Sequence, residues 1–381
     1  MTACAGVTDW KALLDQAEEQ GLAPLLYWHC RDLPDSVPEH SKRVMRLLFL
    51  RHQHVNRIML KVLERVAGLF REAGIDVLAL KGIALCLTAY PEAGLRPMRD
   101  MDLLVRPEQA LAAQDLLVRS GFSASTAPRP DDHFHLPSLH MVVDAIPVCI
   151  ELHHDFFPDC PPYYCKQDFD SLRQRAFSFP VGATQVLTLG HEDMLWHVFH
   201  HGFHAPLTYE PLKLISVADM VTMVEVRLEE IDWERMRALH PEILAALPYF
   251  HYLTPWSEKV RSKFLWKTGA KPEGVGESFQ GWPRLHLKEQ AGRSFTAIIK
   301  ATFLPSEWWC RVYYGVDSQW KYFKIRWFTH PRHVFWWIRL YASFLQTAQT
   351  DDSAPALGGK IRQTWRKVVA MAHKFLAMFK K

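Results

Sequence analysis

A chain of 381 residues that is 49% apolar and 23% charged has material for more than one buried core, and disorder along its whole length is excluded. Its 45 basic and 41 acidic residues leave a formal charge of +4, too balanced for a surface that tracks nucleic acid throughout, so any basic patch is local. Seven scattered cysteines make no disulfide scaffold, residues 1–20 lack the basic head and apolar run of an export signal, and no apolar stretch reaches the roughly 18–20 residues of a spanning helix. The expectation is a cytoplasmic protein with reduced thiols, at most peripheral at a membrane.

From Trp10 to about Gly74 apolar residues recur at three- and four-residue spacing, through Leu47, Leu48, Val55, Ile58, Met59, Val62, Leu63, Val66 and Phe70, which predicts helices closed by Gly74. Ile75–Leu80 is a short apolar run fit for a buried strand. Lys81-Gly82 then turns the chain into a helix over Ile83–Tyr90. Asp100–Val105 alternates acidic and apolar as a second strand, and Pro107 opens a helix that Gly121 closes. Leu139–Val143 and Val148–Leu152 read as an antiparallel pair joined through Asp144–Pro147. Helices resume near Glu192 and run to about Tyr252 with interruptions at Gly202 and Pro206. Lys271–Gly281 is a polar connector, and tryptophans gather among Arg and Lys in the remaining tail.

The residues that bear chemistry begin at Arg96-Pro97-Met98-Arg99-Asp100-Met101-Asp102-Leu103-Leu104-Val105. On a strand, Asp100 and Asp102 project to one side while Met101, Leu103 and Val105 project to the other, so two carboxylates share a face. Such a pair suits a hard divalent cation, which takes oxygen ligands from one or two carboxylates and from phosphates. Glu151, in the apolar run Cys149-Ile150-Glu151-Leu152-His153, is a candidate third acid, since an ionised side chain is costly there without a partner. The bland alternative has Asp100 capping a turn, Asp102 facing water and Glu151 paired with Arg96 or Arg99. Lys81-Gly82 at a strand-to-helix turn adds a cation beside helix-start amides, which attract phosphate.

The runs Leu80-Lys81-Gly82, Tyr90-Pro91, Leu95–Val105, Ser120-Gly121-Phe122 and Glu151-Leu152-His153 together resemble the uncharacterised nucleotidyltransferase family of the DNA polymerase β-like superfamily. His201, Asp219 and Asp232-Trp233 are similar to its helical region, and Phe303-Leu304-Pro305-Ser306 with Arg311 and Tyr314 to its carboxy-terminal pattern, so the likeness extends over about 75–314. The resemblance implies an α+β protein: a minimal polymerase β-like core, a mixed sheet with helices on one side, flanked by helical N- and C-terminal regions. It divides the chain into a helical region at 1–50, the nucleotidyltransferase core at 51–185, a helical region at 186–262, and an aromatic, basic region at 263–381.

The same resemblance implies Asp100, Asp102 and Glu151 as catalytic residues and as ligands of Mg²⁺ or Mn²⁺, with Lys81, Gly82, Arg96, Arg99, His153 and His201 binding substrate. The implied reaction moves a nucleoside monophosphate from an NTP, ATP being the first candidate, to a small-molecule, peptide or protein acceptor and releases pyrophosphate. No specific nucleic acid is expected as partner. Gly82 is followed by Ile83, where the wider superfamily has Gly-Ser, and this keeps open a non-catalytic nucleotide-binding or scaffold module. Phosphoryl transfer on the same fold is the other enzymatic alternative.

Three further features carry alternatives of their own. His191, His197, His200, His201 and His204 crowd one helical stretch, with 197, 201 and 204 on one face, and Cys160 and Cys165 lie near His153 and His154; each set is a conceivable zinc site, but neither has metallopeptidase or paired-cysteine spacing. From Arg362 to Lys381 six cations and no acid accompany Trp365, Val368, Val369, Ala372, Phe375, Leu376 and Phe379 at helical spacing. That basic amphipathic helix fits packing on the protein body, a protein or peptide partner, or the surface of an anionic membrane.

Overall fold

The computed structural model describes residues 4–33, 37–126, 133–157, 166–204, 213–266, 269–281 and 292–337. The chain forms two compact units, the first from Met1–Ala205, Lys213–His240 and Trp256–Trp266, the second from Pro206–Leu212, Pro241–Pro255 and Lys267–Lys381.

The first unit begins with α1 (Trp10–Glu19), whose start is capped by the Asp9 carboxylate accepting from the Ala12 amide, and α2 (Ala23–Cys30). Then α3 (Glu39–Glu72) runs unbroken through residue 50. Its buried stripe is Met45, Phe49, Ile58, Met59, Val62, Leu63, Val66 and Phe70, at 3.6-residue periodicity. Leu47, expected on that stripe, is exposed because its position falls on the opposite side of the cylinder. Asn56 lies on the buried side for a different reason: its Nδ2 donates to the carbonyls of Ala93 (2.6 Å) and Arg96 (2.8 Å), tying down the loop that precedes the acidic strand.

Gly74 takes a left-handed φ of +68° and releases the chain into β1 (Val77–Ala79). The helix that follows, α4 (Lys81–Thr88), starts two residues earlier than its apolar run predicts. Next come β2 (Met101–Val105), a 3₁₀ turn at Pro107–Gln109 that leads into α5 (Ala110–Arg119), and β3 (Ser123–Ala124). The expected antiparallel pair is present as β4 (Leu139–Val143) and β5 (Ile146–His153), with Asp144 and Ala145 both at positive φ. Two consecutive left-handed residues are what a two-residue hairpin needs to match strand twist.

After α6 (Phe169–Arg175), a second hairpin of β6 (Phe177–Val181) and β7 (Thr184–Thr188) completes a seven-stranded sheet of order β3-β4-β5-β2-β1-β7-β6. The β2/β5 and β1/β7 pairs are parallel and the rest antiparallel, so the sheet is mixed and the class is α+β. Met101, Leu103, Val105, Ile150 and Leu152, which alternation puts on one face, have no solvent exposure, and α3 and α5 contact the sheet. Further helices of this unit are α7 (His191–Phe199), which passes into a π-helical turn at His200–His204, α8 (Leu214–Val226) and α9 (Trp233–Leu239).

The second unit contains α10 (Pro241–Phe250) and, beyond α11 (Glu258–Phe264) of the first, α12 (Phe295–Phe303), α13 (Glu307–Tyr314) and α14 (Gln319–Lys324). Helix continues from α14 through a π-helical turn at Ile325–Thr329 to Trp337. Its core is aromatic: Trp308, Trp309, Tyr313, Tyr314 and Trp337 are buried. Buried polar groups there are paired. Arg311 donates to Glu307 (2.7 Å) and to Tyr249 Oη (2.9 Å), and the His330 ring lies 2.8 Å from Tyr314 Oη and 2.7 Å from the Thr302 carbonyl. Cys160, Cys165 and the basic segment from Arg362 lie outside the described residues. No described helix is long and apolar enough to cross a membrane.

Candidate active site

Pairing of β2 with β5 builds the site. Their parallel register sets Asp102 opposite Glu151 and Leu104 opposite His153, so both acids and the imidazole rise from one sheet face, the reverse of the apolar face that holds Leu103 and Leu152. Ligand atoms of Asp102, Glu151 and His153 all lie within 4.8 Å of one another. Asp102 is 5% exposed, and its Oδ1 accepts from His153 Nε2 (2.8 Å) and from Lys81 Nζ (3.2 Å). Glu151 is held by Ser138, whose Oγ donates to Oε1 at 3.2 Å, while its Oε2 faces His135 Nε2 (3.6 Å) and His153 Nε2 (3.9 Å).

Asp100 lies just ahead of β2, in the loop that Asn56 anchors, so it is not on the strand as its alternation predicts. The residue is open to water, yet its carboxyl is pushed up to about 6, first by the protein that surrounds it and then by the charge of Asp102, with Glu151 adding to the effect and Lys81 opposing it. Asp102 goes the other way: burial alone would raise it, but Lys81 and His153 outweigh burial and hold it well below the ordinary carboxylate range. The two acids are therefore pushed apart, one fixed as a carboxylate and one able to titrate near neutrality.

Lys81 is the first residue of α4 and takes a left-handed φ of +46°, a strained conformation for a side chain with a Cβ, and this geometry delivers its ammonium to Asp102. Gly82 is buried beneath Arg96: a Cβ there would stand 2.5 Å from Arg96 Nη1. Arg96 does not reach Glu151. Its guanidinium grips Asp219 of α8 with two bonds, Nε to Oδ1 (3.2 Å) and Nη2 to Oδ2 (2.7 Å), and Nη1 donates to the Pro97 carbonyl (2.7 Å). Tyr90 Oη donates to the same carboxylate at 2.7 Å. Burial works against the Arg96 charge, and Asp219 more than offsets it. Arg99 is exposed beside Asp100, and its charge is felt at His52 of α3.

On the helical side His201 is open to water and feels the charges of Lys81 and Asp102. Its imidazole is lowered to about 3, first by the Lys81 charge and then by the protein that surrounds it, and so it is neutral at physiological pH. One turn earlier His197 is fully buried, its ring centroid 4.7 Å from that of Phe156, and neither ring nitrogen has a hydrogen-bond partner. His191 is drawn off to Glu230 at 3.1 Å. Ser138, His135 and Asp219 were not among the sequence candidates for the site. Only Asp219 leaves a trace in sequence, as part of the resemblance in the helical region and as the buried one of the two acids of α8.

The donor set suits a divalent cation. Asp102 and Glu151 offer adjacent carboxylates with His153 between them, and Asp100 is close enough for their charges to raise its carboxyl, an effect second to that of its surroundings.

No curated protein matches the chain. Solved structures with similarity to it include the solution structure of the antibiotic-resistance factor ANT(2'')-Ia (14% identity, 51% of this chain and 97% of that one, TM-score 0.33) and the same factor with adenylyl-2''-tobramycin (13%, 47% and 94%, 0.31). An antigenic nucleotidyltransferase-like protein from Paracoccidioides brasiliensis is similar at 14% identity over 50% of this chain and 91% of that one, with a TM-score of 0.32. The model of the uncharacterised nucleotidyltransferases matches residues 7–254, which takes in α1 to α3 as well as the sheet and stops short of the Phe303–Tyr314 pattern. With the mixed sheet and its acidic face, that match over more than half of the sequence shows that the chain belongs to the uncharacterised nucleotidyltransferase family.

Proposed function

We propose that this protein is a metal-dependent nucleotidyltransferase that moves a nucleoside monophosphate from an NTP, ATP first among the candidates, to a hydroxyl or similar group of a small molecule, peptide or protein. The supporting observation is the β2/β5 register, which sets Asp102 against Glu151 in a chain of this family. Asp100, Asp102 and Glu151 would hold Mg²⁺ or Mn²⁺, which when bound supplies positive charge to the phosphate oxygens. The acceptor oxygen forms a bond to the α-phosphorus, the bond from that phosphorus to the β-phosphate bridge breaks, and pyrophosphate leaves with the electron pair.

Glu151 Oε2 takes the acceptor proton, its carboxylate aimed by the Ser138 hydroxyl. His153 and Lys81 keep Asp102 ionised. Lys81, Arg99 and the neutral His201 take the phosphates. Arg96 is a positioning residue: with Asp219 and Tyr90 it clamps the start of α4 at Gly82.

The test is incubation with each α-labelled NTP, Mg²⁺ or Mn²⁺, and a cell extract. Label on an acceptor with release of pyrophosphate is expected, and Asp102→Asn should abolish it while circular dichroism stays unchanged. Equal turnover by that variant would end the proposal, and transfer of γ-label with release of nucleoside diphosphate would replace it by phosphoryl transfer. A second reading, a nucleotide-binding module without turnover, draws on the two donors that already occupy Asp102 Oδ1. It predicts nucleotide binding by calorimetry with no labelled product under any metal.

A further inference from the structure

Surface helices bury an apolar stripe and turn polar residues to water. The helical run from α14 to Trp337 buries one stripe and turns a second, aromatic one to water. On its inner side Ile325, His330, Val334 and Trp337 are buried. On its outer side Trp320 is 75% exposed, Phe323 47%, Trp327 53% and Phe328 55%. Phe323 stacks on Trp320 with ring centroids 5.9 Å apart and lies 6.5 Å from both Trp327 and Phe328, so the four rings form one continuous patch.

The π-helical turn at Ile325–Thr329 makes this division. In an uninterrupted α-helix Trp327 and Val334, seven residues apart, share a face. Here Val334 is fully buried while Trp327 is exposed, because the wider turn carries one more residue and rotates the following segment inward. Taking roughly 200 Å² per aromatic side chain, the patch presents on the order of 450 Å², as large as the biggest apolar patch of a typical monomer and a recurrent mark of an interaction surface.

Charge selects the occupant. Residues 318–337 have Lys321, Lys324, Arg326 and Arg332 and no acid, and Asp317 just before them lies 3.5 Å from Lys321 in an exposed pair, which leaves the patch net positive. A second copy of the same face would bring like charges together, and so would the chain's own segment Arg362–Lys381, which has six cations and no acid. Anionic headgroups complement the cations, and the water–lipid boundary is where Trp and Phe side chains gain most. We infer that the outer face of residues 319–329 is a docking surface for an anionic bilayer, with Trp320, Phe323, Trp327 and Phe328 seated at headgroup level and Lys321, Lys324 and Arg326 on lipid phosphates. It contacts the surface without spanning it.

The experiment is flotation of the full chain with vesicles of two parts phosphatidylcholine to one part phosphatidylglycerol, against phosphatidylcholine alone. Wild type should float with the anionic vesicles and weaken in high salt. Trp320→Ser/Trp327→Ser should lose more than about tenfold in partitioning, and Lys321→Glu/Lys324→Glu should lose the preference for anionic lipid, both with unchanged melting since these side chains face water. No flotation by wild type overturns the inference, as does equal flotation by the Trp variant, which would assign binding to another segment. It also falls if the Trp variant converts a dimer to a monomer without any vesicle binding, or if a single-stranded RNA oligonucleotide binds this face and vesicles do not.

Discussion

Gly82→Ala puts one methyl group at the point where the helix start meets the buried ion pair. Gly82 is not among the residues at positive φ, so alanine is conformationally allowed, and in a helix alanine is favoured over glycine by about 1 kcal/mol. The new Cβ would nevertheless stand 2.5 Å from Arg96 Nη1, 3.0 Å from its Cζ and 3.2 Å from Met98 Cγ. An arginine tip normally swings away from such a contact. This one is pinned by two bonds to Asp219 and one to the Pro97 carbonyl, and Asp219 is 3% exposed.

Forcing the pair apart strands a buried carboxylate, a loss of about 3–5 kcal/mol. Less the helix-propensity gain, Gly82→Ala should destabilise the first unit by about 2–4 kcal/mol, or about 5–15 °C in melting temperature at this size. Denaturant unfolding followed by circular dichroism measures it. In the Arg96→Met/Asp219→Leu background the penalty should shrink to less than about 1 kcal/mol, since the pinned guanidinium is gone. A Gly82→Ala protein as stable as wild type, or an unchanged penalty in that background, would refute the account and return Gly82 to a role in phosphate approach alone.

Three other outcomes follow from the same structure. The Asp100 pKa, raised to about 6, means that the folded state holds a proton which the unfolded chain releases near pH 4, so stability falls as pH rises from about 4 to 6. Discounted for its exposure to water, Asp100→Asn should gain about 1 kcal/mol at pH 7–8 and nothing at pH 4, and a gain that does not vary with pH would contradict this origin. Mg²⁺ or Mn²⁺ at roughly one hundred times its Kd should stabilise wild type by about 2.7 kcal/mol in thermal unfolding, and Asp102→Asn should abolish that gain; an equal gain in the variant would place the cation elsewhere. In the second unit Arg311→Met leaves Glu307 and Tyr249 without their donor, and should cost about 2–4 kcal/mol, read as a lower unfolding midpoint, whereas a Lys300→Met change at the surface should cost less than about 0.5.

Local chemistry determined much of this protein in advance. Helical periodicity placed α3, the apolar run after Gly74 placed β1, and period-two alternation put Asp102 and Glu151 on sheet faces from which an ionised group must find a partner, because these signals depend only on neighbours within a turn or a strand. Partner choice depends on topology instead. That His153 sits on Asp102, which would otherwise face water, follows from the parallel β2/β5 register, 51 residues apart in sequence. That Arg96 answers to Asp219 follows from how α8 meets the loop held by Asn56, over 123 residues. Asp100 shows the boundary between the two: strand alternation would have aligned it with Asp102, but the loop ends before the ladder begins, and this one-residue difference leaves one acid wetted and the other buried. In the second unit the tryptophan spacing was plain in sequence, and so was Pro331, which has no N–H for the Trp327 carbonyl at the π-helical turn; that Val334 is buried and Trp327 exposed is decided by the core on which the segment packs.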